Sequence, residues 1–412
     1  MSSPRRILFL LLTGLLVVIL AYGASRLARP DPGTMPRTSL SVAQVMGQGA
    51  SPSGFARARE PRPFVFPRDH GPHPDFRTEW WYITGNLQSP GGAPFGFQIT
   101  FFRSALKPEE PMGSSPWRTR QVYMGHFAVT DSAGEGFHAF ERFSRGAVGL
   151  AGARSRPFRV WIEDWELRGG GPEGTDFPWT LGIREEDVAL RLRLSPAKPL
   201  VLQGDEGLSQ KGPEEGNASY YYSYTRLEAE GEVELPRGVE PVRGTAWMDR
   251  EWSTSALSPG QVGWDWFAFQ LDDGHDLMYY QLRREDGSAD PLSKGRWVRP
   301  DGTSRLVENG EVGLRVTERW QSPLDGAEYP GGWRLELPRE ELSLRITPLL
   351  PDQELRLTFR YWEGAVRVEG TRRGERVTGR GYVELTGYAE VPATESPERR
   401  IGRTGRDGWP ES

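Results

Sequence analysis

Residues 187–194 read Asp-Val-Ala-Leu-Arg-Leu-Arg-Leu, and the pattern in this stretch decides the fold. Apolar and charged side chains alternate along it, with Val188, Leu190, Leu192 and Leu194 on one parity and Asp187, Arg191 and Arg193 on the other. Successive side chains of a β-strand point to opposite faces, so a period of two indicates a strand with one face in a core.

The same period recurs along the chain. It is found in residues 95–101, 333–337 and 355–361, and each of these is predicted to form one strand. Dipeptides that favour tight hairpin turns stand between such runs, namely Asp273-Gly274, Asp286-Gly287, Asp301-Gly302 and Asn309-Gly310. No amphipathic pattern of three helical turns occurs within residues 63–390. The sequence therefore predicts an antiparallel, all-β fold.

Length and composition narrow the class of protein. The chain has 412 residues, 37% of them hydrophobic, and a net charge of −5, so it has apolar material for cores and no basic footprint for nucleic acid. It has no cysteine, which excludes disulfides, thiolate zinc sites and cysteine nucleophiles. Residues 63–392 are too many for one eight-stranded barrel, so we expect two consecutive β-barrel domains, 63–250 and 251–392, with the break within 235–260.

The chain ends carry different signals. Arg5 and Arg6 precede an apolar run over residues 7–22, which is typical of a secretory signal peptide or of an uncleaved membrane anchor. Either interpretation predicts export of the bulk of the chain. Residues 1–24 are thus predicted to be a signal peptide or anchor, 25–62 a flexible linker and 393–412 a disordered tail.

The first candidate carboxyl group is Glu79, which lies among large aromatic residues in Glu79-Trp-Trp-Tyr-Ile-Thr-Gly85. In one interpretation Trp81 fills a barrel floor and Glu79 pairs with an arginine, Arg77 or Arg250. In the other, Glu79 is a buried carboxyl with a raised pKa that donates a proton. The sequence favours the ion pair and leaves the proton donor as an alternative.

Two further carboxyl groups are candidates for catalysis. Asp265 shares a strand face with Phe267 and Phe269, where a carboxylate is costly unless it is paired or protonated. Asp249 lies close to Trp247 and Trp252 in a second aromatic block. The alternative is structural, with Arg250 and a carboxylate forming a buried pair that joins the two domains.

Aromatic and polar residues around these carboxyl groups are candidate ligand contacts. They are Trp80, Trp81, Tyr82, Trp252, Trp264, Trp266, Tyr361, Trp362, Tyr382, Glu384 and Tyr388. The five histidines lack the spacing of a zinc site, and phosphate-binding loops and a serine-hydrolase elbow are absent from the sequence. We therefore expect neither a metal nor another cofactor.

Four motifs in order resemble the AttH family of secreted proteins, which is related to the carotenoid 1,2-hydratases (hydroxyneurosporene synthases). The resemblance rests on residues 69–82, 249–252, 263–267 and 381–388, and it spans roughly 63–390. It implies two consecutive lipocalin-like β-barrels, an exported location and a gene neighbourhood with an ABC transporter. In the carotenoid hydratases a carboxylic acid is thought to protonate an alkene, but the resemblance transfers no catalytic residue to this chain.

Three functions follow from these observations. The first is the binding or handling of a lipophilic small molecule, in the periplasm or at the outer face of the cytoplasmic membrane, beside an ABC transporter. The second is a cofactor-free hydratase or hydrolase of an isoprenoid-like alkene, with Asp265 or Asp249 as proton donor and Trp264, Trp266 and Trp81 stabilising a cation. The third is a structural partner of the transporter, docked through Tyr382 and Tyr388. The sequence favours the first function and leaves the oligomeric state open.

Overall fold

The structure is a computed structural model, and it describes residues 53–134, 136–255 and 257–389. The predicted signal or anchor segment, most of the predicted linker and the predicted tail lie outside these residues. Within them, no helix has both the length and the apolar character needed to span a membrane.

The first sheet contains thirteen strands. In chain order they are β1 Thr78–Gln88, β2 Pro94–Ala105, β3 Gln121–Asp131, β4 Gly136–Arg145, β5 Ala151–Ser155, β6 Phe158–Ile162, β7 Trp165–Gly170, β8 Asp176–Glu185, β9 Val188–Pro196, β10 Val201–Leu202, β11 Leu208–Gln210, β12 Ala218–Leu235 and β13 Gly238–Ser253. They pair antiparallel in the order β4-β3-β2-β1-β13-β12-β9-β8-β7-β6-β5, with β10 and β11 added to β12. This sheet curls into a nearly closed barrel.

The second sheet contains ten strands. They are β14 Gln261–Leu271, β15 Asp276–Arg284, β16 Lys294–Val298, β17 Ser304–Glu308, β18 Gly313–Gln321, β19 Glu328–Leu337, β20 Leu342–Pro348, β21 Glu354–Arg356, β22 Arg360–Arg372 and β23 Glu375–Leu385. The order is β17-β16-β15-β14-β23-β22-β20-β19-β18, and β21 adds to β22, which gives a half-barrel. The helices of the described residues are three single 3₁₀ turns, Arg68–His70, Asn309–Glu311 and Pro338–Glu340.

The all-β prediction with two consecutive β units is confirmed. The chain passes from the first sheet to the second over residues 254–260, a few residues after the predicted boundary at 250. The other interruption in the predicted window, Leu235 to Gly238, is the hairpin turn that joins β12 to β13 within the first sheet.

Two local predictions are wrong in detail. Residues 355–361 form a hairpin of β21 and β22, in which Leu355 lies opposite Tyr361. Directly opposed residues of a hairpin share a face, so the alternation of apolar and polar residues continues across the turn. Asn309 and Gly310 lie in a 3₁₀ turn that leads from one edge of the second sheet to the other, whereas Gly274 and Gly302 do form left-handed turn positions between paired strands.

Each sheet encloses its own apolar core, and a third apolar cluster lies between the sheets. Trp81 and Ile83 belong to the core of the first sheet, while Tyr82, on the opposite face of β1, packs in the third cluster against Trp266 of the second sheet. The rings of Tyr82 and Trp266 are 5.2 Å apart, edge to face. The central strands of both sheets are thus buried on both faces.

A buried ion cluster joins the two sheets at a separate point. Asp276 of β15 is fully buried and accepts hydrogen bonds from Lys198 Nζ at 2.7 Å and Thr225 Oγ1 at 2.8 Å, both from the first sheet. Arg226 of β12 adds a second cation at 2.6 Å. Because this carboxylate is shared among donors of the other sheet, it fixes how the sheets dock.

Candidate active site between the two sheets

A cavity of about 130 Å³ lies between the two sheets, outside both barrel cores. The first sheet and the segments attached to it contribute Thr78, Trp80, Tyr82, Thr100, Phe102, Lys211, Tyr221, Asp249, Glu251, Ser253, Ser255 and Leu257. The second sheet contributes Trp264, Trp266, Tyr280, Leu282, Tyr361, Glu363 and Glu384. This cavity is formed by the outer faces of the two sheets and not by the interior of either one.

Strand pairing sets the cavity residues in rows. On the first sheet, Tyr82 lies opposite Asp249, and Asp249 lies opposite Ser223 on its other side. On the second sheet, Trp266 lies opposite Glu384, which lies opposite Glu363. Residues opposed in this way point to the same face of a sheet. Each wall therefore carries carboxyl groups beside aromatic rings.

Asp249 is held firmly in the first wall. Its Oδ2 accepts a hydrogen bond from Tyr221 at 2.5 Å, and its Oδ1 accepts bonds from Ser223 at 2.5 Å and from the Trp247 indole at 2.6 Å. Burial raises the pKa of Asp249 to about 7, although all three donors favour the ionised form. Both forms of this carboxyl are consequently present near neutral pH.

Glu251 and Lys211 form an ion pair beside Asp249. Lys211 Nζ lies 3.2 Å from Glu251 Oε1, and Ser219 also donates to that oxygen. The ammonium group stands over the ring of Tyr280, 4.1 Å from its centroid. Burial lowers the pKa of Lys211, but the Glu251 carboxylate outweighs it and the net shift is upward. The pair therefore adds a fixed cation and anion to the wall.

Glu363 and Glu384 face each other across β22 and β23, and the pKa values of both are raised. The pKa of Glu384 is raised to about 8, mainly by burial and also by the charges of Asp249 and Glu251, while a hydrogen bond with the Trp264 indole opposes the rise. Burial and the neighbouring Glu384 raise the pKa of Glu363 well above its ordinary value. Such groups can donate protons inside an aromatic cavity.

Glu79 lies inside the first barrel, away from the cavity. Its carboxylate is fully buried and paired with Arg103 at 2.6 Å and with Arg250. Although burial opposes ionisation, the two guanidinium groups hold the pKa of Glu79 well below its usual range. Arg250 also stacks on Trp81, 3.9 Å from the ring centroid. The ion-pair interpretation, with Arg250 and not Arg77 as partner, describes this site, and a raised pKa does not.

Asp265 lies inside the second sheet with Phe267, as its strand face predicted, and it does not line the cavity. Arg283 Nε donates to it at 2.9 Å, and the Tyr388 hydroxyl donates at 3.0 Å. Burial raises the pKa of Asp265 to about 6, against the lowering effect of Arg283. The two predicted catalytic aspartates, Asp249 and Asp265, are therefore in different places.

The predicted ligand contacts divide in the same way. The cavity is lined by Trp80, Tyr82, Trp264, Trp266, Tyr361 and Glu384. Trp81 and Trp252 lie in the first core, Trp362 lies in the second, and Tyr388 packs against the second. Tyr382 lies in the cluster between the sheets. Tyr388 turns away from Tyr382 and Glu384 because β23 ends at Leu385 and Gly387 is left-handed, with φ of 73°.

Sequence reasoning missed several residues of the cavity. Glu363 stands next to the predicted contacts Tyr361 and Trp362, and its neighbour in space, Glu384, was predicted from another motif. Tyr221 lies in the run Ser219-Tyr-Tyr-Tyr-Ser-Tyr224, which has aromatic residues at both odd and even positions and therefore on both faces of a strand. That double-sided pattern is the signal of a strand buried on both faces. Lys211 comes from an irregular segment and carries no such signal.

Among the residues that the structure describes, no group of three or more His, Asp or Glu side chains is placed to hold a metal ion. The chemistry of the cavity, as far as its own residues define it, is that of carboxyl groups, phenols and indoles.

The raised pKa values predict how stability depends on pH. The folded protein keeps protons on Asp249 to about pH 7 and on Glu384 to about pH 8, whereas their ordinary values are 3.8 and 4.5. Buried His70 and His126, whose pKa values burial lowers to about 3, have the opposite effect below their ordinary value of 6.5. Above that value the folded state binds more protons than the unfolded state, so the free energy of unfolding is expected to fall as pH rises from about 7 to about 8. Urea unfolding between about pH 7 and about pH 9 measures it, and Glu384→Gln should make the decline shallower. A wild-type stability that rises over this interval would contradict the assignment.

Fold and cavity together define a class of protein, namely a two-part lipocalin-like β protein with a carboxyl-rich cavity between its halves. A family model described as AttH-like matches residues 57–388, and the chain belongs to this family. The resemblance found in the motifs is thereby confirmed.

Three known proteins are similar to this chain. The crystal structure of an AttH protein from Nitrosomonas europaea has a TM-score of 0.71 and 39% identity, and the match covers 81% of this chain and 100% of that one. Kievitone hydratase from Nectria haematococca has a TM-score of 0.61 at 12% identity, covering 82% and 98%, which shows the fold alone. Kievitone hydratase from Fusarium solani subsp. phaseoli is 23% identical over 209 residues, which is 49% of this chain and 57% of that protein. The match thus spans little more than half the length of that relative.

Proposed function

We propose that the protein is a cofactor-free hydratase, which adds water across the carbon–carbon double bond of a lipophilic, isoprenoid-like small molecule. The observation that carries this proposal is the opposed pair of carboxyl groups Glu363 and Glu384 in a cavity walled by indole rings, where burial raises the pKa of Glu384 to about 8. Protonation of an alkene needs an acid that stays neutral until it reacts, and the cation that forms needs shelter from bulk water.

The residues have distinct roles in this reaction. Glu384 transfers its proton to the less substituted alkene carbon, and the electron pair of the double bond forms the new C–H bond. The positive charge left on the other carbon is stabilised by the ring faces of Trp264 and Trp266 and by the Asp249 carboxylate. Water then bonds to that carbon and passes a proton to a carboxylate of the cavity, which restores the acid. Asp249 is a poorer donor than Glu384 because both its oxygens are already engaged by hydrogen bonds.

The size of the cavity indicates how much of the substrate it holds. A cavity of about 150 Å³ accommodates a benzene-sized molecule. The volume here, about 130 Å³, therefore suits one prenyl-sized end of a lipophile, with the remainder extending outwards. The names of the two fungal relatives, kievitone hydratase, support hydration as the type of reaction, and they make kievitone the first compound to test.

A second candidate function is binding or transport of a lipophilic molecule without chemistry. The aromatic walls favour it, and the sequence of residues 7–22 supports export to the cell envelope, where the protein would work beside an ABC transporter. In this case the same cavity would hold the molecule, and Glu384 would have no turnover to catalyse.

The test incubates the purified protein with kievitone, geraniol or farnesol in water enriched in oxygen-18. The hydratase proposal predicts a product heavier by one water, with oxygen-18 on the more substituted carbon. Native mass spectrometry of the protein from its exported fraction examines the second candidate. Stoichiometric binding of a lipophile without turnover would support the binding function. If the protein shows no binding and no turnover, both functions are rejected.

A variant at Asp265 distinguishes two locations for catalysis, the cavity between the sheets and the interior of the second sheet. Asp265→Asn is expected to leave the hydration rate within about threefold of wild type and to lower the free energy of unfolding by about 1–3 kcal/mol, because Arg283 loses its carboxylate. Asp249→Asn is expected to lower the rate instead. Hydration assays and urea unfolding of both variants check this, and a turnover loss confined to Asp265→Asn would move the site into the second barrel.

A further inference from the structure

Glu363 and Glu384 form a pair of carboxyl groups at the closest spacing that a sheet provides. They lie directly opposite each other on β22 and β23, on the face that meets the first sheet. Cβ atoms of such cross-strand neighbours are about 4.5–5.5 Å apart. Two carboxyl groups at that distance do not both ionise readily, so one proton shared between them is the stable state.

Glu363 is buried beside the hydroxyls of Tyr82 and Tyr361, but neither of its oxygens accepts a well-formed hydrogen bond from them. Both of its carboxyl oxygens are buried without a partner among the described residues, and the same is true of the hydroxyls of Tyr82 and Tyr382. The exposed fractions are 1% for Glu363, 5% for Tyr82 and 1% for Tyr382. Buried polar atoms of this kind cost free energy unless something satisfies them.

These unpartnered groups converge from three strands, β22, β1 and β23. Tyr382 lies two residues before Glu384 on the same face of β23, diagonal to Glu363, and Tyr82 packs in the same cluster between the sheets as Tyr382. Tyr82 and Glu363 also line the cavity. A small molecule that both donates and accepts hydrogen bonds would satisfy a carboxylate and phenols together, and water does so.

We propose that Glu363, Tyr82 and Tyr382 form a water-binding subsite, and that Glu363 takes a proton from this water while Glu384 gives its proton to the alkene. This inference rests on the proposed hydratase function and adds the base to it. Glu384 loses a proton to carbon, the water oxygen bonds to the cationic carbon, and a water proton passes to the Glu363 carboxylate. The pair ends with its single proton on Glu363, and transfer across the strands to Glu384 restores the starting state.

The first experiment distinguishes the roles of Glu363 and Glu384 by measuring the hydration of farnesol, and deuterium exchange into it, in D₂O. In Glu363→Gln, hydration is expected to fall by about 10²–10⁴-fold. Deuterium should still enter the recovered alkene, because Glu384 can protonate carbon and take a proton back. In Glu384→Gln, both hydration and exchange should be lost. Glu369→Gln is the matched control, since Glu369 lies exposed further along β22, and it should behave as wild type.

Two results would overturn the role of Glu363. One is a Glu363→Gln variant that hydrates farnesol at the wild-type rate. The other is a Glu363→Gln variant that loses deuterium exchange as completely as Glu384→Gln, because Glu363 would then act on the alkene and not on water.

A second experiment tests the subsite without any substrate. A crystal structure at a resolution that shows ordered water is expected to contain a water bonded to Glu363 and to at least one of Tyr82 and Tyr382, and the double variant Tyr82→Phe/Tyr382→Phe should lack it. If the wild-type protein holds no water on Glu363, the subsite proposal fails even if the protein hydrates an alkene. If the water is present and no alkene is hydrated, the proposed function fails and the subsite stands.

Discussion

Replacing Glu384 by glutamine is expected to lower the hydration rate by about 10²–10⁴-fold, the usual contribution of a general acid. Glutamine preserves the shape of the side chain and removes the only proton that the proposed mechanism passes to carbon. Steady-state kinetics with the substrate that wild type turns over gives the measurement, with kcat expected to fall far more than KM changes.

Glu375→Gln is the matched control, because Glu375 lies on the same strand, β23, but is exposed. It should leave the rate unchanged. A Glu384→Gln variant that keeps more than about a tenth of wild-type activity would exclude Glu384 as the acid. Loss of binding with an unchanged kcat would point to the binding function instead.

The largest effect on stability is expected at Glu79. Glu79→Gln should lower the free energy of unfolding by about 3–5 kcal/mol, because it leaves the guanidinium groups of Arg103 and Arg250 buried without a counter-charge. Both arginines are almost fully buried, so water cannot replace the carboxylate. Urea unfolding followed by tryptophan fluorescence measures the change.

An exposed glutamate of the same sheet provides the comparison. Glu232 lies 3.9 Å from Arg191 at the surface, and Glu232→Gln should cost less than about 1 kcal/mol. Equal losses in the two variants would mean that the buried ion pairs do not stabilise the first barrel. A Glu79→Gln variant with intact hydration and reduced stability would agree with its place outside the cavity.

The period of two was enough to predict the strands and the faces of individual side chains. Asp265 lies with Phe267 inside the second sheet, where the alternation placed it. The same rule places Trp80 and Trp81 on opposite faces of β1, but because both are aromatic it could not tell which face lines the cavity. A strand whose two faces are both apolar is buried on both sides, and this pattern in β1 and β12 was the available sign that two sheets pack together.

The chemical state of each carboxyl group could not be predicted in the same way. Glu79 and Glu384 have similar aromatic neighbours in the sequence, yet the pKa of one is lowered and that of the other is raised. The difference comes from partners that only the fold brings near. Arg250 lies 171 positions from Glu79 along the chain, and Asp249 reaches Glu384 from the other sheet.

The position of the cavity between two separately hydrogen-bonded sheets has a consequence for how the family can diversify. Each wall belongs to a hydrogen-bonded ladder that is complete without the other, and the Asp276 cluster keeps the two sheets docked at a separate point. A substitution of a side chain at the contact between the sheets can therefore resize the pocket without breaking a strand pairing and with both apolar cores intact. New substrates thus become accessible through mutations at this contact, while the acid groups stay on the strands that carry them.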